Sequence, residues 1–369
     1  MPSATDLSPR LRPRESSRRS RSEAVILDTV GMFDAVAAFP EQIQVAAAAA
    51  HGALDSLHLP DHDDVANVVV LGMGTSGQAG SLVLEVAGPL MAIPVIAHRG
   101  YGVPNFVDSS TLVMAASYSG NTEEVLEGAA NALEDGASVL CLSTGGELRD
   151  FAAANGLPHV SVTPEAPVGR AALGSIAIPM LIALEKIGFF PGGDSWITEA
   201  IEQTSRRRDS LITEDNEARR LARRLGRAFP IIYGGNGIGS LAAERWKTQF
   251  NENAKVAAFT NRVPELTHNE VCGWGQDGDV TRQIFQLFML RHDFEHPQVM
   301  RRLDVLDDIL DEVVGAIHRI DAKGEGPLAQ LLDLMLVGDF VSLHSAVEQG
   351  VDPGPVPTIA EIETRVSGR

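Results

Sequence analysis
The sequence predicts an α/β protein of two subdomains, each a mostly parallel sheet flanked by helices. Three observations carry that prediction. Short apolar, β-branched runs alternate with helix-periodic stretches along the chain, as expected for strands buried on both faces of a parallel sheet. Glycine-rich turns join strand to helix twice, in "GMGTSG" after "ANVVVL" and in "GGNGIG" after "AFPIIY". Setting Gly72 against Gly234 also brings Gly77 against Gly239, so the two turns share glycines five apart.

The elements follow in order. "PRLRPRESSRRSRSE" holds Arg10, Arg12, Arg14, Arg18, Arg19 and Arg21 among Ser and Pro; it cannot bury enough apolar surface to fold and lacks the apolar region of a secretory signal, so residues 1–24 read as a disordered basic tail. Ordered sequence begins near Val25 with a helical pattern, in which Pro40 marks a boundary. Strands are expected at 66–72, 93–99, "STLVMAA", 138–145 and 159–164, with helices between them, making residues 25–195 a first subdomain. The charged helical stretch 196–226 reads as a linker, and 227–369 as a second subdomain that opens on "AFPIIYGGNGIGSLAAERWKTQF".

Composition narrows the class. With 369 residues the chain has room for two units of about 150 residues. Its formal net charge of −19 argues against a nucleic-acid surface. It leaves open a phosphorylated small molecule, because backbone N–H groups can cradle an anion inside an acidic protein. No apolar stretch is expected to reach the roughly 20 residues that span a membrane. Cys141 and Cys272 lack metal-ligand spacing and read as reduced thiols of a cytoplasmic protein. "HLPDHDD" (58–64) reads as a polar loop without metal-ligand spacing, so no metal is expected there; no cofactor is expected either.

Two loops carry chemistry. "GMGTSG" opens a helix after a strand, where free N–H groups make an anion site. It has the G-x-G-x-x-G form, but "VIAHR" at 95–99 lacks the acid that a dinucleotide ribose needs, so nucleotide and simple phosphate both remain open. "SYSGNTEE" (117–124) is more specific. Ser117, Ser119 and Thr122 surround Gly120 between a strand and a helix. A cap uses one hydroxyl, for which Thr122 is placed; three suggest a phosphate cradle.

A strand, "SYSGNT" and a helix, preceded by "GMGTSG", resemble a sugar isomerase (SIS) domain, which binds phosphosugars. "PVGRAALG" (167–174), "NENAK" (251–255), "THNEV" (267–271) and "GDFVSLHSAVEQGVDPGPV" (338–356) narrow the resemblance to the bifunctional phosphoglucose/phosphomannose isomerase family, over roughly residues 27–366. It implies two SIS-type subdomains and a metal-independent aldose–ketose isomerase. Such an enzyme interconverts glucose 6-phosphate or mannose 6-phosphate with fructose 6-phosphate through a cis-enediolate.

That chemistry needs a base beside C1 and C2, and a carboxylate suits the step when desolvation raises its pKa. On an α-helix Thr248, Glu252 and Lys255 fall at i, i+4 and i+7 and would share one polar face. Periodicity alone favours a solvent-facing Glu–Lys pair; the resemblance implies instead that Glu252 is the base. It likewise implies that His268 is the ring-opening acid/base, contributed across a homodimer interface. Arg170 is a lone cation in an apolar loop and needs an anionic partner, either a structural carboxylate or, by resemblance, the enediolate. Ser76, Ser117, Ser119 and Thr122 would hold the phosphate, with Gly74 giving close backbone approach.

Three positions depart from the family pattern. The expected C-terminal lysine falls on Glu363, Thr75 stands where relatives carry glycine, and Val356 lies near a threonine linked to use of both epimers. Glu363 keeps a second reading open, a non-catalytic phosphosugar sensor.

Overall fold
The computed structural model describes residues 27–366, so the basic tail lies outside the described residues. Helices α1 (Met32–Ala37) and α2 (Phe39–Leu54) come first, and Pro40 sits in the first turn of α2, where its missing N–H costs nothing. The first sheet then forms from β1 (Asn67–Leu71), β2 (Val95–His98), β3 (Thr111–Ala116), β4 (Ser138–Ser143) and β5 (His159–Ser161). Between these strands run α3 (Gly74–Val86), α4 (Glu123–Glu134) and α5 (Gly146–Asn155). Helices α6 (Leu173–Ile187), α7 (Gly193–Leu211) and α8 (Glu217–Leu225) lead to the second sheet. It holds β6 (Phe229–Gly235), β7 (Phe259–Val263), β8 (Phe285–Arg291) and β9 (Ile317–Asp321), interleaved with α9 (Ile238–Gln249), α10 (Gly278–Ile284) and α11 (Pro297–Leu310). Helices α12 (Gly326–Gln349) and α13 (Pro357–Val366) close the described chain.

Every strand pairing is parallel, and the sheets have the orders β2-β1-β3-β4-β5 and β7-β6-β8-β9. The first four strands of each half therefore follow one plan, as the paired glycine turns predict. The glycines explain themselves sterically. A Cβ on Gly72 would lie 2.7 Å from the Ser76 carbonyl carbon, and one on Gly234 would lie 2.2 Å from the Gly239 oxygen. In each half this glycine, just past the end of β1 and next to last in β6, lets the next helix fold back against the strand. That helix begins earlier than apolar periodicity suggests: α3 starts at Gly74, inside the glycine-rich segment, not at Ser81.

Alternation along the strands builds three cores. Val69, Leu71, Val113 and Ala115 face α4 and α5, whereas Ile231, Tyr233, Leu287 and Met289 face α11. Their neighbours Val68, Val70, Met114, Ile232, Phe288 and Leu290 point inward to one shared core. Helices α2, α3, α6, α7, α9 and α12 fill that core, so the two sheets sandwich a common helical layer. Residues of α7 such as Ile197, Ala200 and Leu211 are buried in it.

Helix α12 runs through the middle, packed against α7, α8 and α9. Gly338 makes the close approach to α9 possible, since a Cβ there would lie 2.3 Å from the Trp246 indole. The expectation that no segment is long and apolar enough to cross a membrane needs correcting. α12 has 24 residues and meets that test by length and composition, but 89% of its apolar stretch is buried inside the fold. Asp333, on the same helix, is clamped by Arg207 at 2.7 and 2.6 Å and accepts from Gln203 at 2.7 Å, tying α12 to α7. Both cysteines are free, Cys141 buried with its pKa pushed up to about 12 by desolvation, and Cys272 exposed.

Two histidines set a pH limit. Burial pulls His292 and His344 down to about 4 from the ordinary value near 6.5, so the fold holds them neutral. Because the folded value lies below the unfolded one, their stabilisation is complete above pH 6.5 and is lost as pH falls toward 4. Each should cost up to about 1.4 kcal/mol per pH unit across that window. Urea midpoints measured from pH 7 to 4.5 should fall steeply, and His344→Gln should flatten the slope; equal slopes would refute the assignment.

Candidate functional site
The strand order of the first sheet reverses at β1, which has β2 on one side and β3 on the other. In open α/β sheets the carboxyl ends at such a reversal form a binding crevice. Gly74 and Ser76 follow β1, and Ser117, Ser119 and Thr122 follow β3, so all five border that crevice. Gly74 adopts φ +51, and its absent Cβ would meet open space, leaving the helix N-terminus uncovered. Ser76 and Ser117 are buried. The Ser117 hydroxyl accepts from the Gly120 N–H at 3.0 Å and meets the Thr122 hydroxyl at 2.7 Å. Thr122 does occupy the N-cap position of α4, but its side chain caps nothing; Ser117 has taken it instead.

Beside this crevice lies a small cavity of about 70 Å³. Gly74, Thr75 and Gln78 of α3 line one side, with Arg99 after β2. Arg170 closes one end, and Glu244, Arg245, Thr248, Gln249 and Glu252 line the wall formed by α9 and the turn after it. The polar stripe of α9 thus lines a half-open cavity between α3 and α9.

The chain corrects the predicted helix face at its end. Regular α-helix stops at Gln249, and Phe250–Ala254 form a π-helical turn that ends with Lys255 at φ 58. Such widened turns recur at functional sites because they re-aim side chains. Here Lys255 leaves the stripe and its ammonium donates to the Glu252 backbone oxygen, so no Glu252–Lys255 ion pair forms. The Glu252 carboxylate lies instead 3.9 Å from the Arg170 guanidinium.

Arg170 is 6% exposed, in a short 3-10 turn at Gly169–Ala171. Its Nε donates to Asn253 Oδ1 at 2.8 Å, and Nη2 donates to the carbonyls of Pro353 and Gly354 in the segment between α12 and α13. Burial lowers its pKa, and Glu252 acts in the opposite direction. Gln42 of α2 fixes the same turn: it donates to the Ala171 carbonyl at 2.8 Å and accepts from the Gly174 N–H at 2.9 Å. Arg245 holds it from the other side, donating to the Arg170 carbonyl at 2.8 Å and pairing with Asp339 at 3.0 and 2.7 Å. Deep in the protein such a pair is stable only when every donor is used, and Arg245 also reaches Gln78 Oε1 at 3.1 Å.

Gly74, Arg170 and Glu252 therefore meet at one cavity. Ser76, Ser117, Ser119 and Thr122 border the adjoining crevice and do not line the cavity itself. His268 is exposed, in a 3-10 turn at Glu265–His268 after β7, and is not among the cavity's lining residues. Glu363 is exposed on α13. Sequence reading missed Gln78, Arg99, Arg245 and Gln249 as lining residues. Glu244, Thr248 and Glu252 recur every four residues, and that stripe was the available signal; Gln78 and Arg99 reach the cavity only through tertiary packing. Among the described residues no group of three or more His, Cys, Asp or Glu side chains could hold a metal ion.

The fold and this site define a class, the phosphosugar-isomerase (SIS) fold. The C-terminal domain of glucosamine-fructose-6-phosphate aminotransferase from Francisella tularensis superposes with a TM-score of 0.66 at 15% identity, covering 87% of this chain and 96% of that one. A glucose-6-phosphate isomerase like protein from Thermus thermophilus gives 0.59 at 18% identity, over 91% and 97%. The profile of the bacterial phospho-glucose isomerase C-terminal SIS domain matches residues 214–366. The bifunctional phosphoglucose/phosphomannose isomerase of Caldicellulosiruptor bescii is 36% identical over 340 residues, 91% of this chain and 99% of the relative. That of Thermoplasma acidophilum is 32% identical over 82% and 90%. The chain belongs to the bifunctional phosphoglucose/phosphomannose isomerase family.

Gln42 gives a direct test of how the Arg170 turn is held. Gln42→Leu leaves the Ala171 carbonyl and the Gly174 N–H without their buried partner, at a cost of roughly 2–3 kcal/mol. Urea unfolding should show that loss; an unchanged midpoint would mean that Gln42 does not secure the turn.

Proposed function
We propose that this chain is a metal-independent aldose–ketose isomerase that interconverts glucose 6-phosphate, mannose 6-phosphate or both with fructose 6-phosphate through a cis-enediol(ate). One observation carries the reading: a carboxylate and a buried guanidinium, Glu252 and Arg170, stand 3.9 Å apart in a small cavity beside a hydroxyl-rich helix N-terminus. Together they offer a base for carbon and a fixed cation for the oxygen that becomes negative.

The roles follow from that arrangement. Ser76, Ser117, Ser119, Thr122 and the amides at Gly74 hold the 6-phosphate in the crevice after β1 and β3. Glu252 removes the proton from C2 of the aldose, giving an enediolate; the O2 proton passes to O1, and Glu252 returns its proton to C1 to make the ketose, the reverse reaction beginning at C1. Arg170, already anchored through its Nε and Nη2, stabilises the enediolate oxygen without reorganising. By the family resemblance, Val356, two residues beyond the Gly354 carbonyl that anchors Arg170, takes the place of the threonine linked to use of both C2 epimers.

His268 serves as the ring-opening acid/base from a second copy of the chain, making the working unit a cytoplasmic homodimer. The support is its position: it is exposed and lies off the cavity of its own chain. The net charge of −19 favours neither a nucleic-acid nor an anionic-membrane partner. Glu363 favours a phosphosugar sensor, but it sits on the exposed α13, while Arg99, Arg170 and Arg245 already supply cations at the cavity.

A coupled assay with each hexose 6-phosphate in the presence of EDTA tests the activity. Wild type should turn over and Glu252→Gln should lose at least roughly 10²–10⁴ in kcat. Wild type that binds sugar phosphate without turnover would hand the site to the sensor reading. A mixture tests the shared site. Glu252→Gln and His268→Ala subunits, each nearly inactive, should regain about one quarter of wild-type activity when exchanged at equal amounts, since half the dimers then hold one complete site. No recovery would place His268 in its own subunit's site or outside the reaction.

A further inference from the structure
Gln249 is 1% exposed, and its Nε2 is a buried donor with no hydrogen-bond partner among the described residues. It lies in the wall of the cavity that holds Glu252 and Arg170. A buried donor left unpaired costs about 1–3 kcal/mol, so its persistence calls for a partner that the folded chain alone does not supply.

Its orientation is fixed by a chain of donors. Arg170 Nε can only donate, so the Asn253 atom 2.8 Å away is the amide oxygen. Asn253 Nδ2 then faces Ser342 Oγ at 2.9 Å and Gln249 at 3.5 Å. Ser342 Oγ donates onward to the Asp339 carbonyl at 2.7 Å, which leaves it free to accept. The Gln249 atom facing Asn253 is therefore its oxygen, because the flipped amide would set donor against donor. Its Nε2 is left turned from that network. Gln249 also stands three residues before Glu252, on the face of the helix that borders the cavity.

From this we infer that Gln249 is a substrate-contacting residue, whose Nε2 donates to an oxygen carried by the sugar carbons that Glu252 serves. The inference rests on the isomerase reading of the cavity. It adds a neutral donor to the Arg170 cation, and both are tied through Asn253, so the oxygen that turns anionic meets two preset donors.

Two variants and two ligands separate this role from a structural one. The ligands are 5-phosphoarabinonate, whose carboxylate copies the planar anionic enediolate, and inorganic phosphate, which reports only the crevice. Gln249→Leu removes the donor; Gln249→Glu removes it too but keeps an oxygen for Asn253. Calorimetry should show both variants binding 5-phosphoarabinonate roughly 10- to 100-fold more weakly than wild type, with phosphate affinity within about twofold. Recovery of the affinity in Gln249→Glu would mean that Gln249 acts only through Asn253, and equal losses for both ligands would mean general disruption; either outcome overturns the contact. Wild type binding neither ligand overturns it as well. Wild type that binds 5-phosphoarabinonate but turns over no hexose phosphate defeats the isomerase reading alone, and the contact is still decided by the binding data.

Discussion
Arg245 and Asp339 are each almost wholly buried and pair through both guanidinium and carboxylate edges. Removing two charges from water costs several kcal/mol per ion, which their attraction offsets only when the remaining donors are also satisfied. Arg245 meets that condition by reaching Gln78 on α3 and the Arg170 carbonyl. One side chain on α9 thus joins the buried helix α12, helix α3 and the turn that carries Arg170. Breaking it would leave an uncompensated charge in the middle of the helical layer and release the site's two walls from each other.

Around that pair the duplicated plan has diverged. Both halves keep the glycine pair that folds a helix back onto its strand, Gly72 with Gly77 and Gly234 with Gly239. The first half carries hydroxyls at its strand-order reversal, in the segment 117–122. The second carries its carboxylate at the far end of α9, about 18 Å of helix rise from the glycine turn for a 12-residue helix. The cavity lies between α3 of the first half and α9 of the second, beside the crevice that the hydroxyls border, which explains why neither half alone would form it.

The π-helical turn and the Arg170 clamp complete the geometry. Had α9 continued regularly, Lys255 would share a face with Glu252 and compete for its charge. The widened turn instead sends the ammonium to backbone oxygens and leaves the carboxylate to Arg170. Arg170 in turn holds the chain between α12 and α13 through two carbonyls, so the C-terminal segment is fixed by the same guanidinium that faces the cavity. The fold class, the alternation of strand and helix and the glycine turns were all legible locally, because apolar runs and steric demands at Gly72 and Gly234 are properties of short segments.

By itself the sequence determined the two parallel sheets, the hydroxyl loop around Gly120, and Glu252 and Arg170 as the polar residues worth asking about. Strand burial and lone buried charges leave marks that pattern and chemistry can read. Only tertiary structure decided that Glu252 answers to Arg170 rather than Lys255, that Thr122 bonds Ser117 rather than capping α4, and that Gln78, Arg99, Arg245 and Gln249 line the cavity. The physical reason is that a hydrogen bond or ion pair is chosen by distances across elements far apart in sequence: Arg170, Asn253 and Gly354 have no local sign of one another. Even the end of α9 was decided that way, by a widened turn that helical periodicity does not encode.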